Sequence, residues 1–332
     1  MKRLYGFDEI GEKLRNAFFQ GKLHHCNMLI SDEGVGKTTF LKQLAALILG
    51  GQNESDWERS HTLVENNSHV DFTILNAESF LSEEDFEKKK RDEISVAQVR
   101  NLIGFLQKTP LLSKNKAVII DSIDKVNAEG QNALLKTLEE PTSNTFIFLV
   151  CNRRENVLDT VFSRSSAHFL GKLAFEDWAR AFWDNVSAEN SEKLGEDDME
   201  KLCAISGQSV GLALDIINNN GFDLYENILD AFAEKNAPKL QKFCDEIDKN
   251  NNLFRLFGII LEIFFHDLLN YSMGREKNKI MVKNKEIFEI LTKRNSAQKI
   301  LNDYEKIYSI MKNIDVYNMS KKHCLNVIFS NL

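Results

Sequence analysis

The sequence predicts an α/β P-loop domain built on a parallel sheet, followed by an all-helical remainder. A short apolar run, Asn27-Met28-Leu29-Ile30, leads through Ser31-Asp32-Glu33-Gly34-Val35-Gly36-Lys37-Thr38-Thr39 into an amphipathic helix. Further apolar runs at 70–75, 117–121, 145–150 and 167–170 alternate with helical patterns, as in parallel sheets covered on both faces. After Lys172 the strand-like runs stop.

The first run reads as a buried strand. The loop after it matches Gly-x-x-x-x-Gly-Lys-Thr/Ser except at its first position, where Ser31 replaces glycine. Such a loop cradles phosphates on backbone N–H groups, sends its lysine to the β/γ oxygens and its hydroxyl to Mg²⁺. Gly34, Gly36, Lys37 and Thr38 are therefore candidate nucleotide-binding residues. Phe40, Leu41, Leu44, Ala45 and Ile48 then recur at helical spacing until Gly50-Gly51, a stop signal.

Residues 51–67 read as polar filler and 70–75 as the second strand. The charge-dense stretch from Ser82 to Glu93 reads as a solvated loop or exposed helical turn. Ser95 caps a helix whose apolar stripe is Val96, Val99, Leu102, Ile103 and Leu106. The third strand, 117–121, ends in Asp121, placed to help hold Mg²⁺. Ser122 follows, where a P-loop ATPase usually has a glutamate to polarise the attacking water. A hydroxyl has no basicity near neutral pH, so ATP hydrolysis by this site is expected to be poor or absent. Asn127 starts a helix that ends at Glu139-Glu140-Pro141.

Beyond Lys172, helices are expected over 175–186, 197–205 and 209–218, with five or six more from Phe222 to Leu332, interrupted near 248–252 and 274–279. The stretch from Leu253 to Tyr271 is apolar on nearly every face and reads as a buried helix, either a plain core helix or one that packs part of its surface against other subunits. There is no convincing internal repeat.

The 332-residue chain is 43% hydrophobic, with a net charge of −7 and a pI of about 5.6. Generic electrostatic attraction to nucleic acid is therefore not expected. The five cysteines (Cys26, Cys151, Cys203, Cys244, Cys324) are scattered without Cys-x-x-Cys spacing, which suits a reducing cytoplasm and leaves a zinc module without ligands. The start, Met1-Lys2-Arg3-Leu4, does not read as a signal peptide, and the charges in 253–271 argue against a membrane span. His24 and His25, adjacent on an extended segment, are expected to face opposite ways and not to share a metal.

Several segments in order carry a family resemblance: Leu4-Tyr5-Gly6, Gly21-Lys22-Leu23-His24-His25, Gly34-Val35-Gly36-Lys37, Ile94-Ser95-Val96-Ala97-Gln98-Val99-Arg100, Asn132-Ala133-Leu134-Leu135-Lys136-Thr137-Leu138-Glu139-Glu140-Pro141 and Ser163-Arg164-Ser165. Over residues 4–170 the chain resembles the delta-prime subunits of bacterial DNA polymerase III clamp loaders, within the AAA+ family. Beyond 170 only Gly207-Gln208-Ser209-Val210-Gly211-Leu212-Ala213-Leu214 looks familiar. The resemblance implies an AAA+ P-loop domain at 1–171, a small helical lid at 172–221 and a helical collar at 222–332. It implies that Arg164 is an arginine finger acting in trans on a neighbouring subunit's ATP site, where its planar fork suits a transferring phosphoryl group. Ser165 stands where the family usually has cysteine, and Leu212 where the lid normally offers an arginine to the γ-phosphate. Within the resemblance Asn152, just past the fourth strand, is a candidate polar sensor of the nucleotide, with a plain strand-end turn as the alternative. The four-cysteine zinc module of many relatives is absent.

These expectations make the chain a non-catalytic clamp-loader subunit, monomeric in isolation and cytoplasmic. Its expected partners are the gamma/tau and delta subunits, with the sliding clamp and primer–template DNA reached through the assembly. ATP or ADP with Mg²⁺ is the implied ligand of a degenerate site. The alternatives are an active gamma/tau-like ATPase subunit and an unrelated P-loop signalling or recombination ATPase.

Overall fold

A computed structural model of the chain describes residues 4–51, 53–80, 93–191, 194–234, 237–275, 284–314 and 320–330. The charge-dense stretch at 82–92 and most of the break at 274–279 lie outside these residues. Backbone contacts divide the chain into two compact units, Met1–Leu173 and Ala174–Leu332.

The first unit is a five-stranded, all-parallel sheet. Its strands are β1 (Cys26–Ile30), β2 (Phe72–Leu75), β3 (Lys116–Asp121), β4 (Thr145–Cys151) and β5 (Ser166–Phe169), in spatial order β2-β3-β4-β1-β5. Alternate residues feed two cores. Met28, Ile30, Val118, Ile120, Ile147 and Leu149 pack with Val99, Leu102, Leu134 and Leu138. Leu29, Ala117, Ile119, Phe148 and Val150 pack with Leu14, Phe40, Leu41 and Leu44. Both faces are covered, so the strands read as continuous apolar runs.

Helices α1 (Asp8–Phe19) and α2 (Lys37–Gly50) serve the second core. Residues 51–67 are not filler: α3 spans Glu54–Glu65, capped by Asn53, whose side chain accepts from the Ser55 N–H. A Cβ on Gly50 would sit 2.6 Å from Asp56 O and 2.7 Å from Trp57 Cα, so the bare glycine lets α3 approach the end of α2. The second strand starts at Phe72 rather than Val70 because Asp71 turns inward. Its carboxylate accepts the N–H groups of Leu111, Leu112 and Ser113 at 2.7, 2.7 and 2.8 Å. These bonds outweigh burial and keep Asp71 below its ordinary range.

Helix α4 (Val96–Leu106) begins with a reciprocal capping box between Ser95 and Gln98. Then come α5 (Ala128–Glu139), capped by Asn127, and the short α6 (Asp159–Phe162).

The second unit has no strand among its described residues. It opens with α7 (Phe175–Trp183), α8 (Ala188–Ser191), α9 (Glu196–Ile205) and α10 (Val210–Asn218). It continues through α11 (Leu224–Glu234), α12 (Ala237–Lys249), α13 (Asn251–Ser272), α14 (Lys285–Arg294), α15 (Ala297–Asn313) and α16 (Lys321–Ser330). The apolar stretch from Leu253 falls in α13, the centre of this unit's core. Phe257, Phe264 and Phe265 are fully buried, and Phe232 stacks on Phe264 at 5.3 Å. The apolar faces of α13 that the described neighbours cover include Gly258, where a Cβ would lie 2.8 Å from Met311 Cε. The buried Tyr225 hydroxyl donates to Asp267 at 2.7 Å. No described helix is long and apolar enough to cross a membrane.

Candidate functional site

The phosphate loop forms at the carboxyl end of β1, where an open α/β sheet builds its ligand crevice. Gly34 (φ 80°) and Gly36 (φ 96°) take left-handed backbone, and Gly36 is the N-cap of α2. Side-chain-bearing residues disfavour that region, so both glycines are needed for the loop to turn. The Ser31 N–H donates to Cys151 O at 3.2 Å, continuing the β1–β4 pairing by one step.

Lys37 turns back into its own loop. Its ammonium donates to Ser31 O at 2.8 Å, Ser31 Oγ at 3.1 Å and Asp32 O at 2.6 Å. The residue is 4% exposed. Burial pushes the ammonium down to about 8, against the pull of the Asp124, Glu33 and Asp32 carboxylates. All three donors of this cation are therefore engaged by the loop itself. One acceptor is the hydroxyl of Ser31, the residue standing where the motif has its first glycine.

Thr38 and Asp121 meet through a side-chain hydrogen bond, and burial holds the Asp121 carboxyl above its ordinary range. This hydroxyl–carboxylate pair has the oxygen chemistry that Mg²⁺ takes, alongside phosphate oxygens. Asp121 is followed by Ser122, buried and at φ 87°, a strained conformation for a residue with a Cβ. Asn152 Nδ2 donates to Ser122 Oγ at 2.9 Å, and its backbone N–H donates to Asp124 Oδ1 at 2.9 Å. Asp121, Ser122, Asp124 and Asn152 thus form one polar ledge at the ends of β3 and β4, and Asp124 is the carboxylate that acts most strongly on Lys37. The ledge offers groups to hold and sense a nucleotide. At position 122 it offers a hydroxyl where a base would stand.

Arg164 follows α6 and forms a separate corner. Its Nε donates to Glu139 Oε1 at 2.7 Å, Nη2 contacts the same oxygen, and Nη1 donates to Thr160 O at 2.9 Å. Its described partners are Glu139 and Thr160, not Lys37, Asp121 or Asn152. The side chain is 34% exposed. Leu212 lies in α10 of the second unit, its N–H accepted by Ser209 Oγ at 3.1 Å.

The two histidines differ from expectation. Their rings do not diverge: the centroids are 4.2 Å apart at 30°. Residues 22–25 are irregular backbone rather than strand, so alternation of faces does not apply to them. His24 Nδ1 lies 2.7 Å from Cys26 O, and His25 Nε2 lies 2.7 Å from Leu138 O. No group of three or more His, Cys, Asp or Glu able to hold a metal occurs among the described residues. All five cysteines are buried free thiols, and burial pushes Cys26 and Cys151 up to about 12. They are poor nucleophiles and poor metal ligands in that state.

Among known proteins, the family model described as DNA polymerase III, delta subunit, matches residues 7–173. DNA polymerase III subunit delta' of Pseudomonas aeruginosa is 31% identical over 196 residues, which is 56% of this chain and 53% of that protein. The chain therefore spans about half the length of that relative. The protein of the same name from Buchnera aphidicola subsp. Baizongia pistaciae is 25% identical over 300 residues, 87% of each chain. DNA polymerase III subunit gamma of Buchnera aphidicola subsp. Schizaphis graminum is 24% identical over 310 residues, 86% of this chain and 82% of that protein.

Proposed function

The chain belongs to the DNA polymerase III delta subunit family, and we propose that it is the delta-prime subunit of a DNA polymerase III clamp loader, one that does not itself hydrolyse ATP. In this reading it sits with gamma/tau and delta subunits and helps open the sliding clamp for loading on primed DNA. It contributes Arg164 to a neighbouring subunit's ATP site. Residues 172–221 serve as the lid and 222–332 as the collar, and the assembly works in the cytoplasm.

The observation that carries the reading is the seat of Ser122. The residue after the strand-ending Asp121 is a buried serine whose hydroxyl is taken by Asn152, so position 122 supplies no carboxylate to polarise an attacking water. The inward turn of Lys37 supports it, because phosphate must displace three hydrogen bonds before it can use the ammonium.

The donor set still fits a nucleotide. Gly34, Gly36 and Lys37 would hold the phosphates, Thr38 and Asp121 would hold Mg²⁺, and Asn152 would lie beside them. Bound Mg²⁺ would neutralise phosphate charge; the chain's own residues supply grip and orientation. The intact Thr38–Asp121 contact, with the gamma-named relative, favours the rival reading of an active ATPase subunit.

ATP hydrolysis by the purified chain, alone and with partner subunits, separates the two. The proposal expects no turnover above background from the chain alone. A rate of roughly 1 s⁻¹ or more, in the ordinary enzyme range, would sink it in favour of the ATPase reading.

A further inference from the structure

We propose that Glu139 is a positioning residue for Arg164, holding the guanidinium so that its outer fork stays open to an oxyanion of another subunit. This rests on the finger reading of Arg164 given above. A guanidinium has five N–H donors. Glu139 Oε1 takes the Nε donor and one from Nη2, and Thr160 O takes one from Nη1. Among the described residues one N–H remains on Nη1 and one on Nη2. Because the carboxylate takes the Nε side, the spare Nη2 N–H belongs to the end of the fork, the side that grips phosphate or carboxylate oxygens.

The alternative of a latch, in which the carboxylate neutralises and hides the arginine, would use that outer fork. Here the carboxylate takes the inner edge instead. Three anchoring contacts also fix a long side chain that would otherwise sample many rotamers, so less freedom is lost when the oxyanion arrives.

Helix stability does not account for the acid. Glu139 is the last residue of α5, where the helix dipole disfavours negative charge. Nor is the contact local, since the partners are 25 residues apart in sequence. It joins the end of α5 to the corner after α6, and so fixes where the guanidinium stands relative to the sheet-bearing unit.

The experiment rebuilds the assembly with the full chain carrying Glu139→Ala, Glu139→Gln, Arg164→Ala or the Glu139/Arg164 double change. It measures kcat and KM for clamp- and DNA-stimulated ATP hydrolysis, with assembly checked by size-exclusion chromatography. Glu139→Ala is expected to lower kcat on the order of tenfold, below the roughly 10²-fold that a misplaced group can cause, with KM within about twofold. Glu139→Gln keeps an acceptor oxygen and is expected to recover part of the loss. The double variant is expected to match Arg164→Ala, because a positioning residue has nothing left to position.

Full turnover in Glu139→Ala beside an impaired Arg164→Ala would overturn the inference and leave the finger reading standing. Faster turnover in Glu139→Ala would also overturn it, in favour of a latch. An equal Glu139→Ala loss with and without Arg164 would overturn it in favour of a structural role. Full turnover in Arg164→Ala would remove the finger reading and this inference together.

Discussion

Lys37 and Arg164 are the two cations to which the proposed function assigns phosphate chemistry, and the fold treats them in opposite ways. Lys37 is 4% exposed, and the carbonyls of Ser31 and Asp32 and the Ser31 hydroxyl take its donors. Arg164 is a third exposed, is anchored by the Glu139 carboxylate and the Thr160 carbonyl, and keeps two N–H groups without a partner among the described residues. Burial without a full countercharge weakens the first cation, down to about 8. The second keeps a salt bridge in contact with solvent. The contrast teaches that a subunit can retain the architecture of a nucleotide loop while its unspent donors lie on another corner of the same unit.

The largest expected effect on the lysine side is from Lys37→Ala. Any nucleotide affinity of the lone chain should fall on the order of 100-fold, with the circular dichroism spectrum unchanged, because the lysine supplies the only formal positive charge in the loop. Unaltered affinity of a fluorescent ATP analogue would mean that nucleotide binds elsewhere, and the loop half of the comparison would fail.

Ser31→Gly sharpens the contrast. It restores the motif and removes one acceptor from Lys37, so affinity should rise several-fold, short of the roughly tenfold or more that a whole hydrogen bond to a charged group is worth. Weaker binding in the same assay would show that the serine helps the loop rather than closing it.

A pH series tests the electrostatic cause. Phosphate favours the protonated ammonium, and in the free chain that ammonium titrates at about 8. Affinity should be at its plateau below pH 8 and fall above it, by at most about tenfold per unit. Calorimetry in buffers of different ionisation enthalpy should detect proton uptake on binding near pH 9. A flat profile to pH 10 would contradict the buried-lysine account.

The smallest effect concerns the other corner. Removing an ion pair as exposed as Arg164–Glu139 is worth about 0.2–1 kcal/mol, so Arg164→Ala should barely move the lone chain's denaturation midpoint. A loss of several kcal/mol would make Arg164 a structural residue first.

The sheet and its motifs were legible in the sequence because they depend on local pattern. Apolar runs, glycines at 34 and 36, a cap at Ser95 and an acid at 121 each speak for themselves. What was not legible depends on where distant backbone arrives. The inward turn of Lys37 follows from the direction of two carbonyls, which no residue type encodes. Helix α3 hid because its buried face is narrow: Ser60 and Val64 are its buried residues, and its approach to α2 relies on a glycine that also reads as a helix stop. The ring contact of His24 and His25 arises from irregular backbone, where strand alternation is the wrong rule. Glu139 lay inside a quoted motif, yet its pairing with Arg164 needs the end of α5 and the corner after α6 to meet.

The most direct test of the account is the turnover of a rebuilt clamp-loader assembly carrying Arg164→Ala, measured with clamp and primed DNA present. An arginine supplied in trans is worth on the order of 10³ to 10⁵ in rate in GTPases, and an assembly with several ATP sites would show only the share that passes through this one. The account predicts a correctly assembled complex with clearly reduced kcat and near-normal KM, since the arginine meets charge that develops mainly in the transition state. Full ATP hydrolysis and full clamp loading in that complex would contradict it.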